Sequence, residues 1–201
     1  MNPLIEIIKT RRSIRAYLDK PVSREIIEEI IDCARYAPTA LARQPWHFTV
    51  VTDRGLIREL GEGAKKKIRL LLKLRFILWP LYPDLRDKKF LALAKEKAFS
   101  EKDRIFYEAP VLIFISTPRK SPHGLKDSFL ASQNIMLASH SLGLGTCVIG
   151  FAEAINKSKG FLKRLELPLH HKVQVVITLG YPEKVPGHLP ERRQDNLTFI
   201  L

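Results

Sequence analysis

Two long runs of aliphatic and β-branched residues constrain the fold of this chain more than any other feature. They are residues 110–117, PVLIFIST, and residues 172–180, KVQVVITLG. Neither run alternates regularly between apolar and polar residues, so each predicts a strand that is covered on both faces and lies in the centre of a sheet. The sequence therefore predicts a central sheet that is flanked by helices.

Two helices are predicted before the first of these strands. Asn2-Pro3 predicts an N-cap followed by proline at the first helical position, and this short helix ends where the basic cluster at Arg11 begins. Ser23 is expected to cap an amphipathic helix that has isoleucines at helical spacing and ends near residues 36–38.

The remaining local patterns lie on either side of the first apolar run. Prolines bound residues 38–45 and predict a loop, and residues 47–52 predict a further strand. A helix over 127–142 is expected to stop at Gly143, where a glycine can adopt the left-handed conformation that ends helices. Residues 143–150, GLGTCVIG, are expected to form a glycine-rich turn that lets a flat ligand approach the main chain.

The chain is expected to form one domain over residues 1–201, because a chain of 201 residues with 45% hydrophobic content can bury one sizeable core. Residues 62–104 have the least regular pattern and are expected to form a variable helical insert or lid. Charges interrupt the apolar run 68–79, which falls short of the roughly 18 uncharged residues that a membrane-spanning helix needs. Core or dimer packing is the ordinary interpretation of this run.

Charge and cysteine content limit the partners and the compartment. The formal net charge of +13 favours anionic partners such as phosphates, nucleotides, nucleic acid or acidic membranes. The only cysteines, Cys33 and Cys147, do not form a pair or a ligand cluster, so we expect a cytoplasmic protein without structural disulfides. No signal peptide is indicated, and no metal site is predicted, since no Cys or carboxylate cluster surrounds His47. The pair His170-His171 precedes a strand and is expected to be exposed.

Three separate segments share a chemical character that suits a phosphate. They are the N-terminal cluster Arg11, Arg12, Ser13 and Arg15, the polar loop 39–44, and the pair Arg192-Arg193. Guanidinium groups bind phosphate through paired, charge-assisted hydrogen bonds. In so basic a chain, however, a pair of arginines can equally belong to a solvated surface.

A pattern beyond charge comes from four motifs in order. Residues 10–17, TRRSIRAY, and residues 37–48, APTALARQPWHF, are followed by residues 143–150 and by residues 179–182, LGYP. Together with the terminal arginines, this order resembles that of the nitroreductase family. The resemblance covers about residues 4–60 and 105–193 and leaves the middle segment unmatched.

The resemblance implies an α+β fold with a mixed or mainly antiparallel sheet and an intertwined homodimer that binds FMN at the subunit interface. It implies that Arg11, Arg12 and Ser13 hold the phosphate and ribityl chain, and that Arg15 reaches the pyrimidine side of the flavin. The partner subunit's loop is expected to contact the flavin through Pro38, Thr39, Ala40 and Gln44. The main chain of Val148, Ile149 and Gly150 is expected to lie beside the ring. Arg192 and Arg193 are expected to bind the phosphate near the C-terminus.

The resemblance also implies an activity. NAD(P)H is expected to deliver a hydride to flavin N5, and a small-molecule acceptor such as a nitroaromatic or a quinone is expected to take it in a ping-pong cycle. No catalytic side chain is needed, since the cofactor carries the chemistry. Ala42 stands where the family often has Asn, which affects the expected acceptor range.

Two alternatives remain open from the sequence. The first is a basic nucleic-acid-binding module, although no reading motif accompanies the charge and no nucleic acid is expected. The second is a specialised, non-nitro member of the same flavoprotein family. Peripheral membrane contact through the basic amphipathic run 65–79 would be compatible with the flavoprotein.

Overall fold

A computed structural model of the protein describes residues 2–150, 156, 158–187, 191–193 and 195–200. Helices and strands alternate irregularly along the chain. The helices are α1 (Pro3–Thr10), α2 (Arg24–Arg35), α3 (Arg54–Lys73), α4 (Arg75–Leu78), α5 (Lys88–Phe99), α6 (Gly124–Ser141) and α7 (Lys159–Arg164). The strands are β1 (His47–Val51), β2 (Val111–Pro118), β3 (Gly145–Val148) and β4 (His171–Gly180).

The four strands form one antiparallel sheet in the order β1-β2-β4-β3. Ile113 of β2 lies opposite Val50 on one side and Ile177 on the other, so β2 and β4 occupy the centre. This arrangement confirms the prediction of two central strands. It also confirms the α+β class with an antiparallel sheet.

The apolar runs are continuous because helices cover both faces of the sheet. On one face, Leu112 and Phe114 pack with residues of α3 and α5. On the other face, Ile113 and Ile115 pack with residues of α2 and α6. Successive β2 side chains therefore enter opposite cores, as the alternation of a strand requires.

Local signals set the helix ends. The Asn2 side chain accepts a hydrogen bond from the Leu4 amide at 2.9 Å, and the Ser23 hydroxyl accepts one from the Ile26 amide at 3.4 Å. Gly143 follows α6 with φ of 73°, the left-handed conformation expected there. Two details differ from expectation, since α6 begins at Gly124 and the segment expected as a turn contains β3.

The segment 62–104 is largely helical. It begins inside α3, passes through α4 and a 3-10 turn at Pro83–Arg86, and ends after α5. Ile57, Leu60, Ala64 and Ile68 place one face of α3 in the core. Among the residues that the structure describes, no helix is both long and apolar enough to cross a bilayer.

Candidate active site

The segment that follows α1 is bound directly to the sheet. Ser13 forms a parallel bridge with Thr146 of β3, and the Ile14 amide donates to the Thr146 carbonyl at 2.9 Å. Four residues later, Tyr17 forms an antiparallel bridge with Pro182, just beyond β4. These contacts hold the basic cluster against the ends of β3 and β4.

A phenol and a glycine make this attachment possible. The Tyr17 hydroxyl donates to the Ile14 carbonyl at 2.8 Å and shares a hydrogen bond of 2.7 Å with the Thr178 hydroxyl. Burial raises the pKa of Tyr17 well above its usual value, so the phenol stays neutral. At Gly145 a Cβ atom would lie 2.5 Å from Ile14 Cγ1, which means that only glycine lets the two segments approach so closely.

The cluster opens into a small cavity of about 140 Å³. Arg11 and Arg12 line it together with His140 from the end of α6. Nη1 of Arg11 is buried and has no hydrogen-bond partner among the described residues, whereas Nη1 of Arg12 donates to the carbonyls of Lys9 and Arg11. Burial and the positive charges of Arg12 and Arg192 lower the pKa of Arg11. The cavity therefore has a buried cationic donor that an anion could use.

His140 adds to the same environment. Its Nε2 lies 2.9 Å from the Thr10 hydroxyl, which is fixed at the end of α1. Burial lowers the pKa of His140, and the charges of Arg11 and Arg12 lower it further. The neighbouring arginines thus disfavour protonation of His140. An anion in this cavity would favour protonation instead.

A second and larger cavity of about 1130 Å³ is lined by another arginine of the cluster, Arg15. Its floor includes Arg15 and the main-chain segment of Val148, Ile149 and Gly150. Its walls come mainly from α3, α4 and α5, and most of their contribution is aliphatic or aromatic: Ile68, Leu71, Leu74, Leu78, Phe90 and Leu93. The cavity can hold a flat apolar ligand beside a cation.

Polar groups meet at the inner end of this cavity. Burial raises the pKa of the Cys147 thiol, while the charges of Arg15 and Lys97 oppose that shift. Nζ of Lys97 donates to the phenol oxygen of Tyr107 at 2.8 Å and to the Arg104 carbonyl at 2.6 Å. Arg15, Lys97 and Tyr107 all line the cavity, so two cations and a phenol face the same space.

The expected partner-loop residues lie apart from these cavities. Ala40 donates its amide to Asp127 of α6 at 3.4 Å, and the Thr39 hydroxyl accepts from the Gln44 amide at 3.1 Å. Leu41, Ala42 and Gln44 have positive φ angles of 55°, 51° and 46°. Pro38 is exposed at the start of this loop, and Gln44 lines a separate open groove beside α2 and β1. Within one chain, these loop residues therefore do not line the two cavities that the arginine cluster lines.

The two C-terminal arginines differ in their surroundings. The charge of Arg192 acts on Arg11, whereas Arg193 forms two hydrogen bonds with the exposed carboxylate of Asp195, at 2.9 and 2.8 Å. Of the two expected phosphate ligands, Arg192 is therefore the one with an electrostatic effect on Arg11, and Arg193 is the one paired with a carboxylate. Among the described residues, no group of three His, Cys, Asp or Glu side chains could hold a metal ion.

Comparison with known proteins identifies the family. A model described as the nitroreductase family matches residues 8–181. The chain belongs to the nitroreductase family. The matched span includes the N-terminal basic cluster, the loop at 38–44 and all four strands, whereas Arg192 and Arg193 lie beyond it.

Several nitroreductase relatives match nearly the whole chain. A protein of Methanothermobacter thermautotrophicus, provisionally named NADH dehydrogenase/NAD(P)H nitroreductase, is 34% identical over 92% of this chain and 80% of its own length. A 4-nitrobenzoate reductase of Pseudomonas putida is 30% identical over 89% of this chain and 85% of its own length. A nitroreductase structure with bound FMN from Bacteroides fragilis is 27% identical, with a TM-score of 0.79 over 100% of both chains.

Sequence reasoning missed three residues at these nitroreductase cavities. His140 lies near a helix end in a sequence, ASHSLG, that indicates only capping. Lys97 is one of 34 lysines and arginines, and its burial in the folded chain, which among the described residues Lys65 shares, is not visible in the sequence. Tyr107 precedes β2 without any local pattern. Each of the three gains its importance from neighbours that are distant in the chain or on another element, which no local signal reveals.

Proposed function

We propose that this member of the nitroreductase family is an FMN-dependent oxidoreductase that takes a hydride from NAD(P)H and reduces a nitroaromatic, a quinone or a similar small acceptor. The observation that carries the proposal is the buried Nη1 of Arg11, which has no partner among the described residues and belongs to a side chain that lines an anion-sized cavity. A buried cationic donor is costly unless an anion accepts its hydrogen bonds. The terminal phosphate of FMN would be such an anion.

The residues present fit the rest of this cofactor. Arg11, Arg12, Ser13 and Arg192 would hold the phosphate and ribityl chain, with Arg193 close by in the sequence. Arg15 and the main chain of residues 148–150 line a cavity large enough for a flavin ring. The related Bacteroides fragilis protein contains FMN, and the Pseudomonas putida relative is named for reducing 4-nitrobenzoate.

The chemistry then divides between the cofactor and the protein. When bound, FMN would supply the two-electron redox chemistry, accepting a hydride at N5 from NAD(P)H and passing it to the acceptor in a ping-pong cycle. The Arg15 guanidinium would stabilise negative charge on the pyrimidine side of the ring. The apolar walls from α3, α4 and α5 would exclude water from the acceptor side.

We further propose that the active form is a homodimer. Helix α1 has no buried residue, and its apolar Leu4, Ile5 and Ile8 are 58%, 45% and 50% exposed. Phe199 and Ile200 near the C-terminus are 78% and 96% exposed. Such apolar surface on one chain supports a partner. A second copy could also supply Pro38, Thr39, Ala40 and Gln44, whose loop lies apart from Arg11 to Arg15 in a single chain.

The compartment proposed is the cytoplasm. Both Cys33, which is exposed, and Cys147, which is buried, are free thiols in the structure. Free thiols are typical of a reducing compartment, where disulfides are rare.

Purification tests the proposed function directly. The protein should be yellow, and the pigment released on denaturation should be FMN by chromatography against FMN and FAD standards. Anaerobic addition of NADH or NADPH should bleach the flavin absorbance, and acceptor should restore it. Initial rates at varied donor and acceptor should give parallel double-reciprocal lines. A colourless protein that takes up no added FMN would contradict the proposal.

A further inference from the structure

We propose that the larger cavity selects acceptors with an apolar aromatic body and one carboxylate or similar oxyanion, and that Lys97 and Tyr107 bind this oxyanion. The inference rests on the proposed function, because the acceptor must enter this cavity to meet the flavin. It assigns a role to the helical segment 62–104, which supplies most of the cavity wall together with Lys97 itself.

The size and lining of the cavity define the body of the ligand. Its volume of about 1130 Å³ exceeds the roughly 300–1,000 Å³ typical of a site for one small ligand. It can therefore hold a flat ring on residues 148–150 and a second small molecule above it. Leu71, Leu74, Leu78 and Phe90 also line the cavity, so the second molecule should be largely apolar.

Lys97 brings a charge into this apolar space. It projects from α5, is only 7% exposed, and lines the cavity. Its Nζ donates to two neutral oxygens, the carbonyl of Arg104 and the phenol oxygen of Tyr107. A buried ammonium raises the local affinity for anions because the low dielectric strengthens its field.

Tyr107 directs this charge toward a ligand. The Tyr107 oxygen accepts a hydrogen bond from Lys97, so the hydroxyl hydrogen of Tyr107 points elsewhere. No described residue accepts a hydrogen bond from this hydroxyl group. A phenol hydrogen and an adjacent ammonium form a donor pair that suits one oxyanion. The structure thus has a polarised donor at the edge of an apolar cavity.

The backbone holds Tyr107 in place at a cost. Tyr107 and Glu108 both adopt left-handed conformations, with φ of 59° and 56°. The Asp103 carboxylate accepts hydrogen bonds from the amides of Ile105, Phe106 and Glu108, at 2.8, 2.9 and 3.4 Å. Non-glycine residues adopt this conformation at an energetic cost and persist in it where surrounding contacts enforce it, often at functional sites.

The charges around the cavity favour the same ligand. Four cations line it, Arg15, Lys67, Lys97 and Arg104, against two carboxylates, Asp84 and Glu96. Glu96 lies 4.0 Å from Arg104, so these two charges largely offset each other. The remaining excess is positive and attracts anionic acceptors.

Two probes that differ by one carboxylate test the inference, 4-nitrobenzoate and nitrobenzene. Each is titrated into the oxidised, FMN-loaded protein without NAD(P)H, and the dissociation constant comes from the perturbation of flavin absorbance. The wild type should bind 4-nitrobenzoate at least about tenfold more tightly, as expected for hydrogen bonds to a charged group. Tyr107→Phe should reduce this preference by about tenfold and leave the affinity for nitrobenzene unchanged.

A matched pair of lysine variants separates local charge from net charge. Lys97→Gln should abolish the preference for 4-nitrobenzoate. Lys95→Gln removes the same charge from the same helix at an exposed position outside the cavity, and it should keep the preference. Unchanged nitrobenzene binding shows that the cavity of Lys97→Gln is intact, and Tyr107→Phe provides a second route if that variant fails to fold.

Two results would overturn the inference. In one, the wild type binds both probes equally. In the other, Tyr107→Phe and Lys97→Gln keep the wild-type preference. Flavin content and bleaching by NAD(P)H are measured on the same samples, so a yellow, reducible protein without the preference contradicts this inference alone. A protein that neither contains nor takes up FMN contradicts the proposed function, and this inference with it.

Discussion

A buried guanidinium nitrogen without a hydrogen-bond partner is rare in folded proteins. Nη1 of Arg11 is such a nitrogen, because it is buried and no described residue accepts a hydrogen bond from it. Its pKa is lowered by burial and by the charges of Arg12 and Arg192. All three influences destabilise the cation while the cavity holds no anion. We therefore expect Arg11 to reduce the stability of the flavin-free protein and phosphate binding to reverse that effect.

Arg11→Met should separate binding from folding. Loss of charge-assisted hydrogen bonds should weaken FMN binding about tenfold to a hundredfold, measured by flavin fluorescence titration. The free energy of unfolding of the flavin-free variant should equal or exceed that of the wild type, because an unsatisfied cation is gone. A fall of more than about 1 kcal/mol in the flavin-free variant would contradict this account.

The control for this variant is Arg24→Met. Arg24 is 85% exposed on its side chain and pairs with Glu28 one turn along α2. Such surface pairs contribute about 0–1 kcal/mol. The control should leave FMN affinity unchanged, which shows that loss of one positive charge anywhere is not the cause.

His140 should make stability depend on pH. Its pKa is lowered in the folded protein by burial and by Arg11 and Arg12, while the unfolded chain titrates at about 6.5. Between these two values the unfolded state binds more protons, so stability falls as pH drops through about 6.5 toward the folded pKa. His140→Gln should flatten this slope in urea unfolding of the flavin-free protein between about pH 5.5 and 7.5.

His171 needs a parallel measurement, because burial and His47 also lower its pKa. His171→Gln should remove the contribution of His171 to the pH dependence of the free energy of unfolding, and FMN should not change that contribution. The contribution of His140 to this pH dependence should become smaller when FMN is added. A phosphate in the same cavity would raise the pKa of His140, which Arg11 and Arg12 lower. A His140 contribution that FMN does not change would argue against a phosphate at this position.

At the level of elements, the close contact between β3 and the segment after α1 governs the site. Gly145→Ala would place a Cβ atom 2.5 Å from Ile14 Cγ1 and 2.7 Å from Ile14 Cβ. Overpacking of this kind costs about 1–3 kcal/mol, and relief requires the basic segment to move. Both the free energy of unfolding and FMN affinity should therefore fall, measured by urea denaturation and flavin titration.

Gly160→Ala is the matched control. Gly160 lies in α7, and, apart from its chain neighbours and the backbone of its own helix, no atom of the described residues lies within 4 Å of the Cβ that alanine would add. Alanine should stabilise this helix by up to about 1 kcal/mol and leave FMN affinity unchanged. If Gly145→Ala behaves like this control, the proposed close fit is wrong.

Much of the fold follows from local patterns, since Asn2, Ser23 and Gly143 set helix ends by contacts within a few residues. The continuous apolar runs also predicted the central strands correctly. Strand β3 was missed because its four residues, GTCV, lie among glycines that indicate a turn. Its identity as a strand depends on pairing with β4, which is a long-range contact.

Some residues of the candidate site could also be predicted from the sequence, and others could not. Arg11, Arg12, Ser13 and Arg15 could be singled out because they form a compact basic motif. Lys97 could not, because burial among residues of other elements is what sets it apart from the exposed Lys95 on the same helix. Residues 62–104 could be predicted as helical, but their position over Val148 required the packed structure.

For the whole molecule, the proposed homodimer leads to a quantitative expectation. Sedimentation equilibrium should give twice the chain mass of 23.1 kDa. If the partner completes the flavin site, FMN affinity should fall as the protein is diluted below its dimer dissociation constant. A monomer that binds FMN with the same affinity at every protein concentration would contradict the proposed shared site.

The attachment of residues 13–18 to the sheet has a consequence for biosynthesis. Ser13 and Tyr17 are translated early, but their partners Thr146 and Pro182 emerge from the ribosome only after most of the chain. The arginines beside them must wait unplaced until β3 and β4 have paired. An interrupted translation product that lacks residue 182 thus has all of the N-terminal cations but lacks one of the contacts that attach them to the sheet. If the chain binds FMN as proposed, retention of flavin should distinguish complete molecules from such fragments.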